Sequence, residues 1–125
     1  MQVQKVREVL HRLEKPSGMY PNYVNTHAAS WGTPHASVGA LGDSFYEYLL
    51  KEWLRTAKGD VLASEMFQES QRGVINNMVR VTSSGLTYVA EWKQHSLEHK
   101  MDHLGAPSFL LSFILFYYTQ FNVLI

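Results

Sequence analysis

Two carboxylates one helical turn apart, Asp43 and Glu47, are the residues best placed to do chemistry in this 125-residue chain. They lie in the run 37–53, SVGALGDSFYEYLLKEW. If that run is helical from Asp43, positions i and i+4 share a face and both acids point into the same space, while Phe45, Leu49 and Trp53 form a separate apolar stripe. Paired acids beside a bound ligand suit general acid–base work. Gly39 and Gly42 supply the backbone freedom for a tight turn that sets Asp43 at the head of the helix. The same pattern has a plainer reading. Asp is a preferred N-cap and Glu in the first turns complements the positive end of the helix dipole, so pattern alone favours capping. Cleavage of a glycosidic bond adds a geometric test, since its two carboxyls flank the scissile bond about 5–5.5 Å or about 6.5–9.5 Å apart. Acids on one helix face lie on the same side of a substrate, so a partner acid must come from elsewhere.

A second constellation is His95, His99 and His103, spaced i, i+4, i+8. On one continuous helix these imidazoles would hold zinc with an open fourth position. The strand-like run before them, a turn expected near Gln94 and the lack of an H-E-x-x-H spacing argue against that helix, so zinc is the weaker reading and His99 is expected to be structural. The chain has no cysteine, hence no disulfide framework and no thiolate metal site.

The elements that must position these groups follow from the hydrophobic pattern. Residues 1–15 read as an amphipathic helix that buries Val3, Val6, Leu10 and Leu13, with Pro16 and Gly18 stopping it; its charges exclude a signal peptide. A Pro-, Asn-, Gly- and Ser-rich loop covers 17–36, where Tyr20, Tyr23 and Trp31 either stack on a sugar ring or pin the loop to the core, with pinning favoured. A helix is expected over about 61–80, with Asp60 as N-cap, Leu62, Met66, Ile75, Met78 and Val79 buried, and Gly73 weakening its middle. Ser83, Ser84 and Gly85 turn the chain into a strand or hairpin arm from Leu86 to Trp92. The local result is two or three helices with one hairpin. The stretch 107–125 carries no charge. It is near the lower limit of roughly 17 residues for a membrane-spanning helix, but its polar positions and the lack of a basic anchor weaken that reading.

Composition sets the remaining limits. A hydrophobic content of 46% and 11 basic against 11 acidic residues suit one small globular unit. Without a basic cluster there is no electrostatic footprint for phosphates, which excludes nucleic acid as a partner.

Five blocks stand in a recognisable order: GMYPNYVN at 18–25, the Trp31-Gly32 pair, the run at 37–53, GLTYVAEWK at 85–93 and LEHKMDHL at 97–104. Together they resemble class I α-1,2-mannosidase, glycoside hydrolase family 47, and the Leu41-Gly42 version resembles its Golgi-type branch. The resemblance runs from Val3 to Leu104. It divides the chain into a partial catalytic domain over 1–104 and a non-family apolar tail over 105–125. The implied fold is all-α, a partial (α/α)7 barrel (a helical toroid) with a short β-hairpin. The implied activity is calcium-dependent, inverting removal of terminal α-1,2-linked mannose from high-mannose N-glycans in the Golgi or endoplasmic reticulum lumen. Asp43 matches a catalytic acid of the family pocket, and Glu47 and His103 match residues that bind the sugar. The other catalytic Glu residues and the calcium-anchoring Thr lie outside the matched segment. The resemblance therefore implies a fragment that is inactive alone, has no metal ligands of its own and does not bind calcium. An isolated arc of such a barrel leaves raw apolar flanks, which favours self-association. The alternatives are a non-catalytic glycan-binding piece and a membrane-associated interaction piece that uses the tail.

Overall fold

The computed structural model describes residues 2–101 and Ile114. The chain folds as α1 (Gln2–Arg12), a 3-10 turn (Pro16–Gly18), β1 (Val24–Asn25), β2 (Ser30–Trp31), β3 (His35–Ala36), α2 (Asp43–Arg55), α3 (Val61–Asn77), β4 (Val79–Val81), β5 (Thr87–Val89), β6 (Glu91–Lys93) and β7 (Ser96–Glu98). His103 and the apolar stretch 107–125, apart from Ile114, lie outside the described residues.

The helical hairpin α2–α3 is the platform. Helix α2 ends where Thr56 Oγ1 donates to the carbonyls of Glu52 and Trp53. Ala57 and Lys58 then turn left-handed, at φ 51° and 67°. Lys58 N–H closes back on Trp53 O at 2.8 Å, satisfying a carbonyl left free at the helix end. Two residues on, the Asp60 carboxylate accepts from Ala63 N–H and starts α3, as its position before the apolar run predicts. The two helices bury Tyr46, Leu49, Leu50 and Trp53 against Ala63, Met66, Phe67 and Val74. Met19, Tyr20, Ala36 and Val38 of the preceding loop complete this core, so most of that loop is structure rather than excursion.

Gly73, read from sequence as a weak point, is a packing site. A Cβ there would stand 2.7 Å from Ser17 O, because the 3-10 turn lies directly on α3. Gly73→Ala gains about 1 kcal/mol of helix propensity. Overpacking outweighs it, and urea titration is expected to show a net loss of about 1–2 kcal/mol. A stabilised variant would contradict this contact.

Helix α1 forms where expected but presents a different face. Val3, Val6 and Val9 are 59%, 58% and 45% exposed, and Leu10 and Leu13 are only half-buried. The residues turned to α3 are Arg7 and His11, one turn apart, with Lys15 just past the helix end. Arg7 Nη2 donates to Asp60 Oδ2 at 2.6 Å, and His11 and Lys15 reach Glu69 at 3.7 and 3.5 Å. Ion pairs with the head and middle of α3 and the packing of Leu10 against the core dock the helix, and the valine stripe faces outward.

The single expected hairpin is three small antiparallel sheets. β1 pairs with β2, β4 with β5, and β3, β6 and β7 form a three-stranded sheet in the order β3-β6-β7. The run Leu86–Trp92 is not one arm: Ala90, 1% exposed, sends its N–H to Met78 O, so β5 and β6 on either side pair with different partners. An all-α description therefore understates the local structure, although the helices carry the core. Gln94 and His95 are both left-handed, at φ 49° and 69°, between the paired residues Lys93 and Ser96. That is the two-residue hairpin turn whose twist suits the flanking strands. No helix carries His95 and His99.

Candidate active site

The approach to Asp43 is a turn built on backbone contacts. Gly39 O accepts from Gly42 N–H at 3.1 Å and from Asp43 N–H at 2.9 Å, while Ser37 Oγ accepts from Gly39 N–H. The glycines are not the residues with unusual torsions. Leu41 is left-handed at φ 79°, a rare conformation for a large side chain and one that concentrates at functional sites. Gly42 has a negative φ of −108°, open to any residue, and is needed for closeness: a Cβ there would fall 1.9 Å from Ser37 O. Gly42→Ala must therefore push the turn apart. A loss of about 3 kcal/mol in chemical denaturation is expected, at the upper end of overpacking costs. A midpoint equal to the parent's would refute this account of the turn.

Asp43 is the first residue of α2, and the N-cap is Gly42, without a side-chain cap bond. Among the described residues the Asp43 carboxylate accepts only from the adjacent Ser44 N–H, at 2.8 Å. Capping, the reading that pattern favours, is thus not its role, although it still sits at the positive end of the helix. Asp43 is half-buried and makes no ion pair among the described residues. Glu47, one turn on, pairs with Lys51 at 2.6 Å on an open surface. Such an exposed pair is worth about 0–1 kcal/mol.

Beside the turn lies a cavity of about 140 Å³ lined by Tyr20, Asn22, Trp31, Gly42, Phe45 and Tyr46, among others. Tyr20 stands edge-on to Trp31 with ring centroids 6.0 Å apart, and 5.0 Å from Phe45. The polar tips of these rings are engaged elsewhere. Trp31 Nε1 donates to Glu14 O, Tyr46 Oη to Tyr20 O, and Tyr20 Oη to Glu69. Burial pushes the Tyr46 hydroxyl far above its ordinary range, and burial followed by the Glu69 charge does the same to Tyr20, so both stay neutral donors. Tyr20 and Trp31 pin the loop as expected, whereas Tyr23 is 43% exposed.

His95 and His99 do not assemble. His95 sits in the hairpin turn edge-on to Trp92 at 5.4 Å, and His99 Nδ1 lies 2.6 Å from Tyr88 Oη. Among the described residues there is no grouping of three or more His, Asp or Glu side chains fit to hold a metal ion. The described donors therefore do not fit the calcium that the family resemblance implies. No helix among the described residues is long and apolar enough to cross a membrane. Asn22, which faces the cavity, escaped sequence reasoning; the only available signal was its place in the YPNY block.

The sequence matches Glycosyl hydrolase family 47 over residues 1–113, and the chain belongs to that family. It is 52% identical over 106 residues to mannosyl-oligosaccharide alpha-1,2-mannosidase IA of Drosophila melanogaster, covering 85% of this chain and 16% of that protein. Against mannosyl-oligosaccharide 1,2-alpha-mannosidase IA of Sus scrofa it is 52% identical over 102 residues, covering 82% and 16%. Its fold is also that of a solved alpha-1,2-mannosidase from Trichoderma reesei, a helical barrel, with a TM-score of 0.72 at 22% identity over 94% of this chain and 26% of that one. The chain thus spans about one sixth of the length of the curated relatives it matches.

Proposed function

We propose that this chain is one arc of the catalytic (α/α)7 toroid of a calcium-dependent, inverting mannosyl-oligosaccharide 1,2-α-mannosidase. The intact enzyme trims terminal α-1,2-linked mannose from high-mannose N-glycans in the Golgi or endoplasmic reticulum lumen. The observation that carries the reading is the placement of Asp43. Its carboxylate stands at a tight turn without a cation partner among the described residues, in a chain 52% identical to named mannosidases.

In this reading Asp43 handles a proton at the scissile bond, and Glu47 accepts hydrogen bonds from a neighbouring sugar once Lys51 lets go. His103 adds a further sugar contact. Asp43 and Glu47 rise from one helix and approach a sugar from one side. Inversion needs a second carboxyl about 6.5–9.5 Å away across the bond, so that group belongs to the remainder of the toroid. The same holds for the calcium donors. The arc alone is inactive and self-associates through its outward valines.

The test is release of mannose from α-1,2-linked mannobiose by the purified chain with calcium, beside an Asp43→Asn control. No turnover from folded protein is expected. Turnover that disappears in the control would show that the chain assembles a working site by itself and would overturn the assignment of the missing carboxyl to the rest of the toroid.

A further inference from the structure

The turn that carries Asp43 contains two residues whose own chemistry does not fix its shape. Gly39 has no Cβ to restrict its torsions, and Leu41 stands left-handed at φ 79°, a conformation its side chain disfavours. The fixed point is Ser37. It directly follows β3, whose Ala36 pairs with Trp92 of β6, and it lies between Ala36 and Val38, both buried in the core. Ser37 itself is only 2% exposed, so this anchor does not move with solvent.

From that anchor a relay of hydrogen bonds runs to the acid. Ser37 Oγ accepts from the buried Gly39 N–H at 2.9 Å. The Gly39 carbonyl in turn accepts from Asp43 N–H at 2.9 Å and from Gly42 N–H at 3.1 Å. Ser37 therefore grips the turn twice, through its hydroxyl at Gly39 and through its carbonyl, against which Gly42 packs too closely for a Cβ. The carbonyl is present whatever the side chain, but the hydroxyl is a choice of residue. Without it the Gly39 N–H becomes a buried donor with no partner, and a glycine is free to rotate toward another acceptor. That rotation carries the Gly39 carbonyl with it, and the head of α2 follows. Among the described residues Asp43 has no side-chain contact that would resist, since its one bond is to the Ser44 N–H, which moves with it.

We propose that Ser37 is the positioning residue of Asp43, its hydroxyl fixing Gly39 so that the carboxylate stands in one place at the head of α2. Ser37 touches no substrate and acts only through Asp43. The proposal rests on the hydrolytic reading for the chemistry that Asp43 performs, and on the hydrogen bonds alone for the geometry. Placement matters because a reacting group displaced by about 1 Å loses on the order of 10²-fold in rate.

The experiment has two arms. The first is amide hydrogen exchange read by mass spectrometry on the purified chain. In Ser37→Ala, exchange at Gly42 and Asp43 should rise about tenfold, the equivalent of one buried hydrogen bond, while the amides of α3 keep the parent rate. Ser37→Thr, which retains the hydroxyl, should restore slow exchange. If Ser37→Ala fails to fold, Ser37→Cys keeps a similar volume with a weaker acceptor and should show the same local rise. Parent-like exchange at Gly42 and Asp43 would overturn the proposal, and so would an equal rise throughout α3, the mark of a merely structural role. The second arm is turnover in a full-length family 47 mannosidase that carries this segment. Ser37→Ala should lower kcat by about 10–10²-fold with little change in KM, and should add nothing to the loss caused by Asp43→Asn, since both act through one carboxylate. An unchanged kcat in Ser37→Ala, or fully additive losses, would count against Ser37. An unchanged kcat in Asp43→Asn would instead remove the hydrolytic reading, and the exchange rates would still decide whether the Ser37 hydroxyl holds Asp43 in place.

Discussion

Asp43→Asn in a full-length family 47 mannosidase that carries this segment is expected to lower kcat by about 10²–10⁴-fold, the range over which a positioned acid or base contributes. KM should move far less, because the loss falls on an interaction made as the bond breaks rather than on ground-state binding. Folding stability should change by no more than about 0.5 kcal/mol. The structural reason is that Asp43 makes only one side-chain hydrogen bond among the described residues, to Ser44 N–H, and no ion pair there. The turn is held by the Gly39 carbonyl and the close approach of Gly42 to Ser37 O, all of which survive the change. A kcat within about twofold of the parent would remove Asp43 from the chemistry. A large fall in Tm would show instead that the carboxylate is structural.

Asp60→Ala is expected to destabilise the fold by about 3–5 kcal/mol, because it leaves the buried Arg7 guanidinium without its counter-charge. Arg7 and Asp60 meet at 2.6 Å with side chains only 9% and 10% exposed, and two further nitrogens of Arg7 already lack partners. The same carboxylate caps α3 through Ala63 N–H, so the substitution also removes a bond worth about 1 kcal/mol. Asp60→Asn can keep the cap while discarding the charge and should lose less. Burial pushes the Asp60 carboxyl up, but the Ala63 N–H and the Arg7 guanidinium outweigh it and hold it below its ordinary 3.8. A carboxyl whose folded value is depressed contributes stability that is complete above its ordinary range and is lost as pH falls through the folded value. Urea midpoints of parent and Asp60→Asn should therefore differ at pH 7 and converge as pH drops below the carboxylate range. A gap that persists in acid would mean that packing, not charge, holds α1 to α3.

Local chemistry made several elements legible. Asp60 before an apolar run marked the start of α3, Ser83-Ser84-Gly85 marked a turn, and Gly85 indeed adopts φ 88°. The i, i+4 spacing of Asp43 and Glu47 was carried into α2 unchanged. Other inferences failed where a non-local contact decided. Val3, Val6, Leu10 and Leu13 form a good amphipathic stripe, yet only Leu10 of it packs against the core, and Arg7, His11 and the following Lys15 face Asp60 and Glu69 instead. Leu86–Trp92 has strand chemistry throughout, but Ala90 bonding to Met78 divides it between two sheets.

By itself the sequence determined the family, the acid pair at the head of α2, and the caps and turns that bound its elements, since these depend on residues a few positions apart. Tertiary structure alone decided that Gly42 and Gly73 are there for close approach, that Leu41 takes the strained torsion, and that Asn22 is left unpaired in an aromatic cavity. Each of those depends on which distant backbone arrives within about 3 Å, and hydrophobic periodicity carries no record of that distance.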